Sequence, residues 1–227
     1  MTNTNSQVQV IDMAKTMRSV YFKMCMGILL TALFSYLMVA YFQALTAYMI
    51  AHPITFIGLF IVEIILVIVL SGKIEDLSPV KAKLIFYLFS MLNGVTLTPM
   101  LLAYTGASIA TAFFITAGMF GVMSVFGYVT KRDLSGWGNY LSMALIGLII
   151  CLIVQYFFNN PMFDFLVSIA AVIIFVGLTA WDTQMIKDMA KSSLIEPENV
   201  ATFGALSLYL DFINLFIHIL KLIGKSK

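Results

Sequence analysis

The chain has 227 residues, of which 61% are hydrophobic and only 11% are charged, with a mean hydropathy of +1.00. A soluble domain carries about 25% charged residues, because charge keeps its surface wet, so this composition argues against a soluble enzyme or binding module. The net charge of +2 is too small to suggest a nucleic-acid partner. Most of the molecular surface must therefore face lipid.

A helix that crosses a bilayer needs about 20 predominantly apolar residues. Seven stretches meet this requirement, and in chain order they are residues 23–42, 54–71, 84–104, 107–129, 140–158, 163–186 and 203–223. A cleaved signal peptide has a shorter apolar region of about 7–15 residues, so the first stretch is predicted to remain as a span. The sequence thus predicts an all-α integral membrane protein, with a polar N-terminal segment over residues 1–22 and a single seven-helix domain over residues 23–227.

The basic residues are distributed unevenly among the polar connections. The N-terminal segment, counted through Lys23, and the connection between spans 2 and 3 each hold three basic residues. The 4–5 and 6–7 connections each hold two, and the other three connections hold none. This bias predicts a cytoplasmic N-terminus. Seven crossings would then place the C-terminus, with Lys221, Lys225 and Lys227, on the opposite side. A re-entrant last segment is the alternative, but the length of the last apolar stretch favours a crossing.

Three carboxylates stand out inside the predicted spans: Glu63, Asp182 and Asp211. Each costs about 2.5–3.5 kcal/mol near the bilayer centre on insertion scales, so such residues are by default functional. The alternative for each is a structural hydrogen bond inside the bundle. Asp182, near the predicted cytoplasmic end of span 6, and Asp211, two turns into span 7, fall at similar depths and are expected to be neighbours.

The last span also carries a stripe of small and polar residues at helical spacing. Its members are Gly204, Ser207, Asp211, Asn214 and His218. Because hydrocarbon offers polar groups no partners, this face must meet protein or water. It is either a hydrogen-bonded packing seam or, as the carboxylates favour, a water-accessible path for conduction or sensing.

Two carboxylates in a low-dielectric site resist ionising together, so they are expected to share a proton as a hydrogen-bonded latch. When both ionise they repel each other or require a cation between them. Oxygen ligands of this kind suit a hard cation such as Ca²⁺. The pattern therefore predicts a pH-sensitive, cation-responsive element at Asp182 and Asp211, and leaves the direction of the pH response open.

Smaller features are less specific. Pro99, with the polar residues around Asn93 and Thr96, is expected to bend span 3. Gly118 and Gly121 are expected to let span 4 approach a neighbouring helix closely. The two cysteines, Cys25 and Cys151, form neither a disulfide framework nor a metal-binding spacing, and are expected to be buried hydrophobic residues.

Three segments carry a family resemblance. Residues 177–184 (GLTAWDTQ) and 205–216 (ALSLYLDFINLF) resemble the sixth- and last-span signatures of the Bax-inhibitor-1 family, and residues 130–135 (TKRDLS) resemble its 4–5 connection. The resemblance covers essentially the whole chain in the number, length and order of its spans. It implies a bundle of seven helices in which the last helix is central, surrounded by the other six.

The family is associated with pH-sensitive Ca²⁺ leak across membranes and, in eukaryotes, with suppression of cell death. By resemblance, its carboxylate pair corresponds to Asp182 and Asp211, and its second-span acidic residue to Glu63. A basic residue thought to close the pore would be Lys73, although Lys lacks the bidentate fork of the Arg that many members have. Ser207, Asn214 and His218 are the further candidates for the pore or the shell around it.

The small size and short N-terminal region resemble a bacterial member, which would lie in the cytoplasmic (inner) membrane with several passes. Some bacterial members are associated with restraint of a membrane-bound ATP-dependent protease. The leading hypothesis is a pH-gated Ca²⁺ leak channel or transporter without a cofactor, in which Ca²⁺ is the permeant or bound ion. The alternative is a regulatory protein that binds such a protease or another membrane partner.

No enzymatic activity is predicted. The Gly-x-Gly-Asp signature of intramembrane aspartyl proteases is absent, because Asp182 and Asp211 follow Thr-Ala-Trp and Leu-Tyr-Leu. A retinal photoreceptor needs a lysine deep in the last span, whereas Lys221 lies at its end.

Overall fold

The computed structural model describes residues 2–158, 160–192 and 195–225, in which eight helices and no strand occur. The helices are α1 (Thr2–Ala40), α2 (Gln43–Ala51), α3 (Pro53–Gly72), α4 (Pro79–Leu102), α5 (Gly106–Val129), α6 (Ser135–Phe158), α7 (Pro161–Ser192) and α8 (Pro197–Ile223). Seven of them are long and apolar enough to cross a membrane, and only α2, with 9 residues, is too short. The prediction of an all-α, seven-span protein is confirmed.

Prolines define where several helices begin. α3, α4, α7 and α8 each start at a proline, a residue that suits the first helical position because its fixed φ is helical and its missing N–H needs no partner there. For this reason α4 starts at Pro79, five residues before the predicted span. α1 instead begins at Thr2, so the predicted polar segment, described from Thr2 onward, continues directly into the first span.

α8 is the helix most enclosed by protein. In its most apolar window 72% of the residues are buried, against 11–39% for the other six spans. This burial gives the polar stripe of α8 the protein surroundings that hydrocarbon cannot supply.

The described residues form two compact units. The first unit holds those up to Ala103 together with Ile186–Tyr209, and the second holds those from Tyr104 to Met185 together with those from Leu210 onward. In the first unit α4 packs against α1 and α3. In the second unit α5 approaches α7 closely at Gly127, where a Cβ atom would lie 2.2 Å from the Ala180 carbonyl oxygen.

Two expectations about small residues are wrong. A Cβ atom added at Gly118 or Gly121 would have no neighbouring atom within 4 Å, so these glycines do not mediate a close helix contact. Cys25 is exposed and Cys151 half-buried, rather than both being buried. In both cases the sequence places the residue on a helix but does not fix which face of that helix meets protein.

In the second unit the chain end that follows α8 lies beside the start of α5. The N–H of Lys225 donates to Ser108 Oγ over 2.9 Å, and the N–H of Thr105 donates to the Lys225 carbonyl over 3.2 Å. Lys221 Nζ lies 3.1 Å from a carboxylate oxygen of Asp164, in the first turn of α7. α8 therefore ends where α5 and α7 begin, as seven crossings require. Lys227 lies outside the described residues.

Candidate functional site

Asp182 in α7 and Asp211 in α8 lie next to each other in the second unit, and their carboxyl groups are hydrogen-bonded. Both are buried, with exposed fractions of 7% and 4%. A hydrogen bond between two carboxyl groups requires a proton on one of them, because an ionised carboxylate only accepts. The structure thus brings together the two residues whose depths along the spans predicted that they would be neighbours.

One oxygen of this pair has no partner. Asp211 Oδ2 is buried and, within the described part of the chain, accepts no hydrogen bond. A buried polar atom is normally satisfied, and an exception indicates an unseen water, an ion or a functional role. This oxygen is the point of the pair at which a water or a cation can bind.

The residues that follow Asp182 fix the local position of α7. Thr183 Oγ1 donates to the Thr179 carbonyl over 2.7 Å and lies 3.1 Å from Ser124 Oγ of α5. Gln184 accepts from the N–H of Leu134 over 2.7 Å and donates to the Arg132 carbonyl over 2.8 Å. The Asp-Thr-Gln run thus supplies one member of the carboxyl pair and two side chains that hold α7 to its neighbours.

The α5–α6 connection is ordered by further local contacts. The backbone N–H of Ser135 donates to Asp133 Oδ1 over 2.8 Å, and this bond holds the pKa of the exposed Asp133 carboxyl below its usual value. Leu134 is buried beside it. The sequence assigned no role to Gln184, whose amide holds this connection, although it belongs to the motif that carries the family resemblance.

The polar stripe of α8 is divided between the two units. In the second unit, Asn214 Nδ2 donates to the Leu210 carbonyl over 2.8 Å. The buried His218 lies 3.3 Å from Ser168 Oγ and stacks on the ring of Phe175. His218 therefore has the contacts of a packed side chain, whereas Asp211 keeps one oxygen without a partner.

The other members of the stripe, Gly204 and Ser207, belong to the first unit. A Cβ atom at Gly204 would lie 2.8 Å from Ile186, so this glycine accommodates a close contact, and Ser207 is half-buried. Lys73 follows Gly72, the last residue of α3, as the C-cap of this helix. Its side chain is exposed and forms no ion pair within the described residues. A latch role for Lys73 stays a prediction.

Glu63 occupies a separate polar cluster in the first unit. Its carboxylate accepts from Thr96 Oγ1 over 2.7 Å and from Asn93 Nδ2 over 3.4 Å, and the residue is 4% exposed. The phenol of Tyr209 donates to Asn93 Oδ1 over 3.0 Å. Sequence reasoning found Glu63 and the polar residues of span 3 but missed Tyr209, because an aromatic residue in a membrane helix carries no signal of this kind.

The carboxyl pair by itself supplies few ligands for a metal ion. Within the described residues, no group of three or more His, Cys, Asp or Glu side chains could hold a metal ion. Ca²⁺ takes about 6–8 oxygen ligands, whereas two carboxylates supply at most about four, so water would have to complete the shell.

The chain is similar to one known protein family and to several bacterial proteins. Residues 13–227 match the family model described as "Inhibitor of apoptosis-promoting Bax1". The chain is 43% identical to inner membrane protein YbhL of Escherichia coli K12 over 93% of its own length and 92% of that protein's. It is 37% identical to a protein of Borreliella burgdorferi over 99% and 97% of the two lengths, and 38% identical to a membrane protein of Streptococcus pyogenes serotype M6 over 91% of each.

Proposed function

The chain belongs to the Bax inhibitor-1 family of membrane proteins, and from this membership and the geometry of the carboxyl pair we propose that it is a pH-sensitive Ca²⁺ leak channel or transporter. Asp182 and Asp211 are its gate and its cation-binding groups. By analogy with the inner membrane relative, it acts in the cytoplasmic membrane of a bacterium. The distribution of basic residues favours a cytoplasmic N-terminus.

The observation that carries the proposal is the buried, hydrogen-bonded pair with its unpartnered Asp211 oxygen. While the pair holds a proton, the two carboxyl groups bind each other and join α7 to α8. Loss of that proton leaves two carboxylates in contact, and their repulsion is relieved either by separation of the helices or by a cation. Proton and Ca²⁺ therefore compete for the same oxygens.

The test is Ca²⁺ entry into proteoliposomes that contain the purified protein, measured from acidic to mildly alkaline pH. We expect a pH-dependent flux whose profile becomes flat in Asp211→Asn and Asp182→Asn. The amide has the size of the carboxyl group but cannot ionise, and its NH2 group can donate to the remaining carboxylate, so the pair no longer has to share a proton. Asp188→Asn is the matched control: Asp188 also lies on α7, but it is exposed and paired with Lys191, so this variant should retain the wild-type profile.

Two results would count against the proposal. A wild-type pH profile in both aspartate variants would remove the gate assignment. A wild-type flux no higher than that of empty liposomes at every pH would instead favour a regulatory protein that binds a membrane-bound ATP-dependent protease or another membrane partner, with the aspartates in a structural role.

A further inference from the structure

The cluster around Glu63 has a chemistry of its own. Glu63 lies in α3, whose candidate span is among the least buried, and its neighbours Val62 and Ile64 are each 43% exposed. Glu63 itself is only 4% exposed, so its carboxyl group points away from the lipid-facing side and toward α4. We propose that Glu63 is a second proton-binding site of the membrane region, linked to α8 through Asn93 and Tyr209.

The hydrogen bonds around Glu63 can be satisfied in both protonation states. In the ionised state the Thr96 hydroxyl donates to Oε1 and the Asn93 amide donates to Oε2. In the protonated state Glu63 can donate through Oε1 to Thr96 Oγ1. The Thr96 hydroxyl then donates its own proton to the backbone carbonyl oxygen of Asn93, 3.1 Å away. Because neither state leaves a buried donor without an acceptor, a proton taken from water can bind and leave with only a hydroxyl rotation.

Among the residues that the structure describes, the side chains that donate to the Glu63 carboxylate are uncharged. The groups of α4 that face Glu63 are Asn93 and Thr96, which do not ionise. Within the described residues of the first unit, the ion pairs are Lys23 with Glu198 and Lys191 with Asp188, and neither involves Glu63. The nearest titratable group in the network is the Tyr209 phenol, reached through Asn93.

Tyr209 connects this site to α8. Its side chain is fully buried, with the hydroxyl 2.6 Å from Thr31 Oγ1 and the ring edge-on to Phe86 and Phe89. The phenol donates to Asn93 Oδ1, which polarises the amide and strengthens the bond that Asn93 donates to the ionised Glu63. The charge on Glu63 is thus transmitted through two hydrogen bonds to a rigidly held residue of α8.

Infrared spectroscopy tests the site directly, because a protonated buried carboxyl group has its own carbonyl stretching band. The experiment uses the full chain in lipid vesicles, in an Asp182→Asn/Asp211→Asn background that removes the other carboxyl pair. We expect a carboxyl band that disappears reversibly as the pH rises and is lost when Glu63→Gln is added. If no band titrates, or if the titrating band survives Glu63→Gln, Glu63 is not the proton-binding site.

The connection between Glu63 and α8 is tested with variants that leave Glu63 unchanged. Tyr209→Phe removes the hydroxyl that polarises Asn93, so the ionised Glu63 loses support and the midpoint of the band should move to higher pH. Thr96→Val should move it in the same direction. Tyr36→Phe is the control, since Tyr36 is 64% exposed and outside this network. If Tyr209→Phe leaves the pH midpoint of the Glu63 band unchanged, Glu63 is not linked to α8 through Tyr209. The infrared measurement requires no transport, so an absence of Ca²⁺ flux would count against the proposed function but not against proton binding at Glu63.

Discussion

A single buried amide joins the helix of Asp182 to the connection between α5 and α6. Gln184 is 9% exposed, and its two polar atoms satisfy one backbone N–H and one backbone carbonyl of that connection. An unsatisfied buried donor or acceptor costs about 1–3 kcal/mol. Gln184 therefore fixes α7 to this connection two residues along the chain from Asp182.

We expect Gln184→Leu to destabilise the α5–α6 connection by about 1–3 kcal/mol, because the N–H of Leu134 loses its acceptor. Hydrogen exchange at the Leu134 amide should become faster, and the melting temperature in detergent should fall. Gln184→Glu is the matched variant: it keeps an acceptor for Leu134, so that amide should remain protected. Equal protection in Gln184→Leu and wild type would show that this hydrogen bond does not hold the connection.

At the scale of residues, the sequence identified carboxylates, which are rare inside membrane spans, and missed aromatic and amide side chains, which are common there. Asp182, Asp211 and Glu63 were identifiable because a carboxylate inside a span is costly. Tyr209 and Gln184 were not, because aromatic and amide side chains are ordinary in such helices. Their roles depend on which backbone group or side chain lies opposite them, and this depends on tertiary packing.

At the scale of helices, the sequence located the spans but not the faces on which they pack. Length and hydropathy identified all seven spans, whereas the glycine that brings α5 against α7 is Gly127 and not Gly118 or Gly121. All three occur in one apolar helix of 24 residues without a strong polar face. Their positions relative to α7 depend on the rotation of α5, which composition does not determine.

This difference predicts opposite effects of one substitution at two sites of α5. Gly127→Ala should destabilise the protein, because the new Cβ would lie 2.2 Å from the Ala180 carbonyl oxygen and the helices must move apart. Gly121→Ala meets nothing within 4 Å and should be neutral or stabilising by up to about 1 kcal/mol, from helix propensity alone. Thermal unfolding in detergent measures both. A melting temperature that changes equally in the two variants would contradict the close contact at Gly127.

At the scale of the whole molecule, the sequence left open on which side the chain ends. Seven crossings put three lysines of the chain end on the side that otherwise has no basic residue in its connections. The structure offers a physical reason why Lys221 is tolerated there: Asp164 pairs with it at 3.1 Å and compensates its charge. The backbone of Lys225 is hydrogen-bonded to the start of α5, so the end of the chain is held at this side.

We therefore expect a cysteine at position 225 and a cysteine at position 131 to be accessible from opposite sides of the membrane. Lys225 and Lys131 are both exposed, and the hydrogen bonds of Lys225 involve only its backbone, so Lys225→Cys and Lys131→Cys should not disturb the fold. In a background with Cys25 and Cys151 replaced by alanine, a membrane-impermeant maleimide added to intact bacterial cells should label position 225, and should label position 131 only after the membrane is opened. Labelling of both from one side would contradict seven crossings. Labelling of 131 alone from outside would keep the seven crossings but reverse the orientation that the basic residues predict.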